Sequence, residues 1–483
     1  MEAYFLGIDI GTQGARVVLL SAQGELIGEE EEVFPINEGS REEQSPEAWW
    51  QSCLSSLKKL LLSVQIDRTK ILSLSVTSTS GTVIPLDENH QPLHQAIMYS
   101  DKRSAAQGEI CTAAALRYHN KGFTGFNSSS GLAKMLWFMQ TYPEKAKKIH
   151  QWVHAADFIT GKLSGEFGIT DYTNAFKSGY DVGDYYWPDY ISTELGIKKE
   201  WLAKVVPSGT IIGTIDVALA GQLGLPLKVA VTAGITDGCA SQIASGAMKP
   251  GDWNTTIGTT MVIKGVTKKE IIDSEGRIYS HRHPAGYWMP GGASNTGADW
   301  VSAKFGNDLK MLNDAAAKLI PTGKISYPLI QKGERFPIMA PNAYGFEDGD
   351  LSTEEKFTAS MEGVAYLERY AFELIGHLSG EKINSIYTAG GGSKSDVWLR
   401  IRANVMRCPI IKMKHVSGAV GAAILAASAV YYDDIIQAAT ALTIVEKEFL
   451  PETELANQYD IYYQEFLREL VKRGFIKQEG IYA

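Results

Sequence analysis

Apolar residues crowd together in short runs near the start of the chain and then recur at helical spacing. Residues 4–10 and 15–21 read as two strands joined by a glycine turn at 11–14, and 25–33 as a third strand after the turn Gln23-Gly24. Ser45-Pro46-Glu47 opens a helix: Ser45 caps, Pro46 suits the first turn and Glu47 faces the positive helix end. Trp50, Leu54, Leu57 and Leu61 then mark one apolar face. A strand at 71–76 follows and ends in the small-residue turn 77–82. The same order returns half a chain later. Residues 252–257 lead through Gly258-Thr259-Thr260 into a strand at 261–266, and a strand at 383–389 ends in Gly390-Gly391-Gly392. Ile10-Gly11-Thr12 is echoed by Ile257-Gly258-Thr259, so the pattern predicts an internally duplicated α/β protein. The break between the halves falls near 247–252, where Met248-Lys249-Pro250-Gly251 interrupts a small-residue helix. Residues 419–432 read as a buried helix, too short and too rich in small residues to span a bilayer. Residues 452–477 read as a closing amphipathic helix.

Length agrees with two lobes: 483 residues exceed one ordinary core and suit two of roughly 200 to 250 residues. The formal net charge of −9 comes without a long basic run, which removes electrostatic support for a nucleic-acid or anionic-membrane partner. Cys53, Cys111, Cys239 and Cys408 are scattered, with no CxxC pair and no zinc-like spacing, and read as reduced cytosolic thiols. The first residues lack the basic start and long apolar core of a signal peptide. A cytoplasmic protein, monomeric or homodimeric, is expected.

Four turns carry candidate chemistry. In Gly7-Ile8-Asp9-Ile10-Gly11-Thr12-Gln13-Gly14 a strand delivers Asp9, and glycines then let backbone N–H groups converge on an anion. Asp9 can hold water on Mg²⁺, which favours oxygen ligands and keeps several waters. A plain glycine hairpin is the alternative. Gly258-Thr259-Thr260 is a second turn of this type. Neither matches GxxxxGK[ST], and no GxGxxG follows a strand, which argues against a P-loop enzyme or a dinucleotide-binding dehydrogenase. Asp237, in Gly234-Ile235-Thr236-Asp237-Gly238, stands before a small-residue helix. It is a candidate base for a hydroxyl in phosphoryl transfer, with an N-cap as its alternative role. Gly390-Gly391-Gly392-Ser393 lets the backbone lie flat against a planar or ribose group, unless it is only a flexible turn.

In this order the four elements resemble the FGGY family of carbohydrate kinases, of the actin, hexokinase and Hsp70 ATPase superfamily, over residues 7–427. The resemblance implies two ribonuclease-H-like α/β domains with an interdomain cleft, and ATP and Mg²⁺ as cofactors. It implies a sugar-binding and base-bearing domain at 1–247, a nucleotide-binding domain at 252–440 and a helical closing segment at 441–483. Asp237 becomes the catalytic base. Asp9, Thr79, Ser80, Gly81 and Asp237 become the sugar contacts, with Asp9 also on magnesium through water. Gly11, Thr12, Gln13, Gly258, Thr259, Thr260, Gly390, Gly391, Gly392 and Ser393 become the ATP contacts.

A narrower match lies in Thr79-Ser80-Gly81-Thr82-Val83, residues 174–181, Tyr279-Ser280-His281-Arg282, residues 291–297 and Gly333-Glu334-Arg335-Phe336-Pro337. These are similar to a cyanobacterial and plant branch labelled xylulokinase-like and associated with D-ribulose. The Met-His-Gly of typical D-xylulose kinases and the Arg-Glu of glycerol kinases are both absent at Thr79-Ser80-Gly81. The expectation is therefore D-ribulose phosphorylation, with D-xylulose or another polyol or ketose as alternative. Asn404, Arg407 and His415 depart from the family pattern and bear on adenosine binding.

Other residues allow more than one role. Asp101 and Arg103 either line the sugar side or form a surface ion pair. His281 and His283 share a strand face but lack a completing ligand nearby. A silent sugar or nucleotide sensor is a rival from another class, disfavoured because binding alone needs no base. An Hsp70-like ATPase is disfavoured because no peptide-binding domain follows.

Overall fold

The computed structural model describes residues 2–118, 125–306 and 309–482. The chain forms two compact units: Met1–Ala244, Pro284–Gly286 and His415–Thr443 make the first, and Ser245–His283, Tyr287–Lys414 and Ile444–Ala483 the second.

In the first unit β1 (Tyr4–Ile10), β2 (Gly14–Ser21) and β3 (Leu26–Val33) form an antiparallel meander. Helix α1 (Pro46–Ser63) follows, with the Ser45 hydroxyl accepting from the Ala48 N–H at 3.2 Å and Pro46 in the first turn. β4 (Ile71–Ser78) then lies parallel to β1, and β5 (Ala230–Thr232) and β6 (Ile235–Thr236) lie parallel to β4. Alternation gives the sheet two different faces. Leu6, Ile8, Ile10, Leu74 and Val76 pack with Trp49, Cys53 and Leu57 of α1. The opposite face carries Gly7, Asp9, Ser73, Ser75 and Thr77. Helix α2 (Asp237–Ala244) leaves directly from β6. β4 runs two residues beyond the expected 71–76, because Thr77 and Ser78 pair with Asp9 and Ile10 on one side and with Ile235 and Thr236 on the other.

The second unit repeats the plan. β7 (Asp252–Ile257) turns antiparallel into β8 (Met261–Gly265), which pairs with β9 (Trp288–Ser294). Helix α3 (Thr353–Ser379) precedes β10 (Ser385–Ala389), parallel to β7. α4 (Asp396–Met406) and β11 (Ile410–Met413), parallel to β10, complete the arrangement. Arg402 on α4 makes a fully buried two-pronged ion pair with Glu368 on α3, both contacts 2.7 Å, and donates to Thr388 on β10 at 2.6 Å.

The chain then returns to the first unit as α5 (Gly418–Val430), set on the small-residue face of β1 and β4 and against α2. A Cβ on Gly7 would stand 1.9 Å from the Ala419 carbonyl oxygen, and one on Gly421 would stand 1.9 Å from that of Ala240. The Ser73 hydroxyl donates to the Ala426 carbonyl at 2.7 Å. The expected division at 1–247 and 252–440 makes no provision for this return. α6 (Thr453–Lys472) goes back to the second unit, burying Tyr459, Tyr463, Phe466 and Leu470 in its core.

Candidate active site

On the first unit the site is built at the carboxyl ends of adjacent parallel strands, where open α/β sheets hold ligands. Register fixes the neighbours: Asp9 on β1 is opposite Thr77 on β4, and Thr236, the residue before Asp237, is opposite Ser78. Asp9, Thr79 and Asp237 therefore emerge side by side. Burial first, and the Asp237 carboxylate next, push the Asp9 carboxyl up to about 7, while Arg16 pulls it down. Asp9 Oδ1 is a buried oxygen with no hydrogen-bond partner among the described residues. Two carboxylates so placed fit a hydrated divalent cation, which would satisfy that oxygen and neutralise the pair. Gly418 is required beside them, since a Cβ there would lie 2.7 Å from Asp9 Oδ2.

Gly11, Thr12, Gln13 and Gly14 line a cavity of about 370 Å³ together with Asp9 and Arg16. The Gly11 N–H donates to the Gly14 carbonyl at 3.0 Å, closing the turn, and Gln44 Nε2 holds the Thr12 carbonyl at 2.9 Å.

The 79–82 turn is held internally. The Thr79 and Thr82 hydroxyls are 2.9 Å apart, and Thr82 Oγ1 accepts from the Tyr99 N–H at 3.1 Å. Gly81 has φ +90°, and a Cβ there would stand 2.2 Å from the Ser129 carbonyl oxygen. Ser80 Oγ, like the hydroxyls of Ser75, Thr77 and Ser78, is buried without a hydrogen-bond partner among the described residues.

Asp237 is the first residue of α2, half-buried, with Oδ1 accepting from the Gly238 N–H at 2.6 Å. Its approach is fixed by a buried chain of hydrogen bonds. Asp171 accepts from Ser208 at 2.6 Å and from the Thr173 hydroxyl at 2.8 Å, and Thr173 Oγ1 accepts from the Thr236 N–H at 2.9 Å. Residues 171–178 thus run from the strand that leads to Asp237 to the 79–82 turn. Their supporting part is not legible in the sequence, where 174–181 stand out only through resemblance.

Asp101 is 1% exposed and bound two-pronged by Arg103, at 3.0 and 2.8 Å. Arg103 also reaches Glu43 at 2.6 Å and covers Trp137 at 4.4 Å. Behind them Lys134 is fully buried and donates to the Ser128 carbonyl; burial pulls its ammonium down to about 7.

On the second unit the two remaining turns also leave adjacent parallel strands. Thr256 on β7 is opposite Ala389 on β10, so Gly258 and Gly390 follow side by side. The Gly258 N–H donates to the Thr260 carbonyl at 3.0 Å. Gly390 has φ +83°, and a Cβ there would lie 2.5 Å from the Ile257 carbonyl oxygen. Ser393 Oγ closes the glycine turn on the Gly390 carbonyl at 2.7 Å. Beside it is a cavity of about 550 Å³, lined by Gly391, Gly392, Ser395, Asn313, Phe357 and Trp398 among others, roomy and apolar enough for a base. Asn404 donates to the Arg400 carbonyl at 2.8 Å and its Oδ1 accepts from the Glu452 N–H at 2.7 Å. Arg407 takes the left-handed conformation that ends α4, φ +50°, and pairs with Asp460. His415 lies in the segment belonging to the first unit. Among the described residues no three or more His, Cys, Asp or Glu side chains group to hold a metal.

The fold is a two-unit α/β arrangement of the actin and hexokinase type. The chain belongs to the FGGY family of carbohydrate kinases: its N-terminal domain model matches residues 4–244 and its C-terminal domain model residues 253–430. It is 26% identical to a gluconokinase of Bacillus licheniformis, covering 95% of this chain and 94% of that one. It is 25% identical to a xylulose kinase of Bacillus subtilis, covering 94% of each. The fold matches a xylulose kinase structure from Brucella ovis with a TM-score of 0.85 at 23% identity, covering 96% and 98% of the two chains. The protein is accordingly a sugar kinase acting on a small-molecule sugar.

Proposed function

We propose that the protein transfers the γ-phosphoryl group of ATP to the terminal hydroxyl of a ketopentose, D-ribulose giving D-ribulose 5-phosphate. The observation that carries this reading is the pair Asp9 and Asp237 on neighbouring strand ends beside the small hydroxyl-rich turn of Thr79, Ser80 and Gly81. Asp237 takes the proton of the attacking hydroxyl, as a carboxylate on a helix start within reach of sugar oxygens can. Asp9 is the residue that would hold Mg²⁺ through water, and the ion supplies charge neutralisation on the phosphates. Gly11, Thr12 and Gln13 offer backbone and hydroxyl donors to phosphate oxygens. Gly258, Thr259 and Thr260 do the same on the second unit, and Gly390, Gly391, Gly392 and Ser393 border the cavity suited to adenosine. On this reading the first unit carries the sugar and base, and the second the nucleotide.

D-xylulose is a second reading, favoured by relatives named xylulose kinase. Among the described residues no helix is long and apolar enough to cross a membrane, and the proposed reaction belongs with cytoplasmic pools of ATP. ADP release measured with D-ribulose, D-xylulose, D-gluconate and glycerol tests the proposal. The highest kcat/KM is expected with D-ribulose. A preference for D-xylulose moves the assignment to the second reading, and failure of both ketopentoses to stimulate ADP release ends it.

A further inference from the structure

Lys177 ends the run that begins at Asp171, and its place in the first unit is tightly fixed. Its carbonyl accepts from the Leu132 N–H at 3.2 Å. The next residue, Ser178, is buried with its hydroxyl 2.9 Å from His154 Nε2, and His154 is in turn held by Asp157 at 2.8 Å. The Lys177 stem crosses the 79–82 turn, with Cδ 3.6 Å from where a Gly81 Cβ would stand. Any larger residue than glycine at 81 would meet both the Ser129 carbonyl and this stem.

The lysine is half-buried, yet its ammonium makes no ion pair or hydrogen bond with any described residue. Its neighbours explain why this is unusual. Asp101, the acid of this corner, is engaged by Arg103. Lys134, also in the corner, repels Lys177 and is itself turned to the Ser128 carbonyl. Ser80 Oγ, on the turn that Lys177 crosses, is buried without a partner among the described residues. A partly desolvated cation and a hydroxyl without a partner, both beside one turn, amount to a recognition surface awaiting an acceptor oxygen.

The opposite end of the same site is acidic. Thr236 is opposite Ser78, and Gly81 is three residues further on, a span of at most about 10 Å. A short open-chain sugar can therefore meet carboxylates at one end and a cation at the other. We propose that Lys177 determines specificity by donating to an oxygen that can only accept, a keto carbonyl or a carboxylate, at the end of the substrate remote from the phosphorylated hydroxyl. Ketoses and aldonates are then substrates of this site, and polyols, which carry a hydroxyl at that position, are poor ones. This deepens the ketopentose reading and rests on it.

The test compares wild type, Lys177→Met and Lys177→Arg with D-ribulose, D-ribonate and ribitol, following ADP release and calorimetric binding of each compound. Wild type should favour D-ribulose or D-ribonate over ribitol, and which of the two is better identifies the acceptor as carbonyl or carboxylate. Lys177→Met should raise KM for the preferred compound roughly ten- to a hundredfold, the loss of one charge-assisted hydrogen bond. It should leave kcat within threefold, and the KM for ATP and the melting temperature unchanged, so that discrimination against ribitol disappears. Lys177→Arg should keep most of it. Equal discrimination in wild type and Lys177→Met overturns the proposal, as does a fall in kcat alone, which would place Lys177 on the transferred phosphate. Should wild type release no ADP with any ketopentose, the functional reading falls first. The binding arm then decides Lys177: a preference over ribitol that Lys177→Met abolishes supports it, and no preference, or no binding of any compound, removes it.

Discussion

Asp9 and Asp237 illustrate how one residue sets the chemistry of its neighbour. Burial raises the Asp9 carboxyl, and the facing Asp237 charge raises it further, to about 7. Asp237→Asn keeps the shape and removes the proton acceptor. It is expected to lower kcat by roughly 10²- to 10⁴-fold while the KM for ATP stays within a few-fold. Removal of its charge should also bring the Asp9 titration down, which NMR of the carboxyl carbons would follow. Unchanged turnover would take Asp237 out of the mechanism. Glu362, deep in the second unit, is a comparable case without catalysis. It accepts from the Thr322 N–H at 3.0 Å, from the Thr322 hydroxyl and from Tyr459 at 2.9 Å, yet burial outweighs these bonds and raises it from 4.5 to about 7. A carboxyl raised in the folded state binds its proton more tightly there than in the unfolded chain. Stability from this group is therefore full below pH 4.5 and is lost as pH rises to about 7, by on the order of 3 kcal/mol. Glu362→Gln should flatten the fall in melting temperature between pH 5 and pH 8, and an identical slope in the variant would show that other groups govern it.

At the scale of elements, the turn 258–260 is held by a residue far from it in the chain. Glu334 is 2% exposed and accepts from Ser294 at 2.8 Å, the Asn295 N–H at 2.7 Å, Thr296 at 2.9 Å and Tyr327 at 3.2 Å. The loop it holds presses on the turn: the Ala298 N–H donates to the Gly258 carbonyl at 2.7 Å, and a Cβ on Gly297 would lie 2.6 Å from the Thr259 carbonyl oxygen. Glu334→Gln replaces one accepting oxygen by a donor inside a ring of donors. It should raise the KM for ATP about tenfold with little change in the KM for sugar, read from steady-state kinetics with each substrate varied. Equal changes in both would point to general loosening of the unit. This contrast explains what the sequence could convey. The 4–33 meander, the capped start of α1 and the glycine turns were legible because each depends on residues close in the chain. The sequence pattern ends β4 two residues early, since Thr77 and Ser78 become strand only through partners at 9–10 and 235–236. Lys177 and Glu334 left no periodic trace, because their partners lie at distant positions such as 81 and 294–296.

At the scale of the molecule, the two units are not consecutive in sequence. The first sheet has one face packed by α1 and another made of Gly7, Ser73, Ser75 and Thr77, small enough that α5 lies almost in contact with the backbone. α5 is apolar on every side, burying Ala419, Val420, Ile424 and Leu425, and so must be enclosed. It also carries Gly418, whose missing side chain leaves room for Asp9. A chain ending at residue 247 would expose that face and lose the wall of the Asp9 site. Such a fragment is expected to aggregate or to melt without a cooperative transition. Joining residues 415–443 to it through a flexible glycine-serine linker should restore a single cooperative unfolding step and near-native circular dichroism, because linker entropy rises only slowly with length. Within that restored unit, Gly421→Val should undo the recovery, its Cβ being placed 1.9 Å from the Ala240 carbonyl oxygen. A 1–247 fragment that folds cooperatively by itself would show that α5 covers the sheet without being needed to form it.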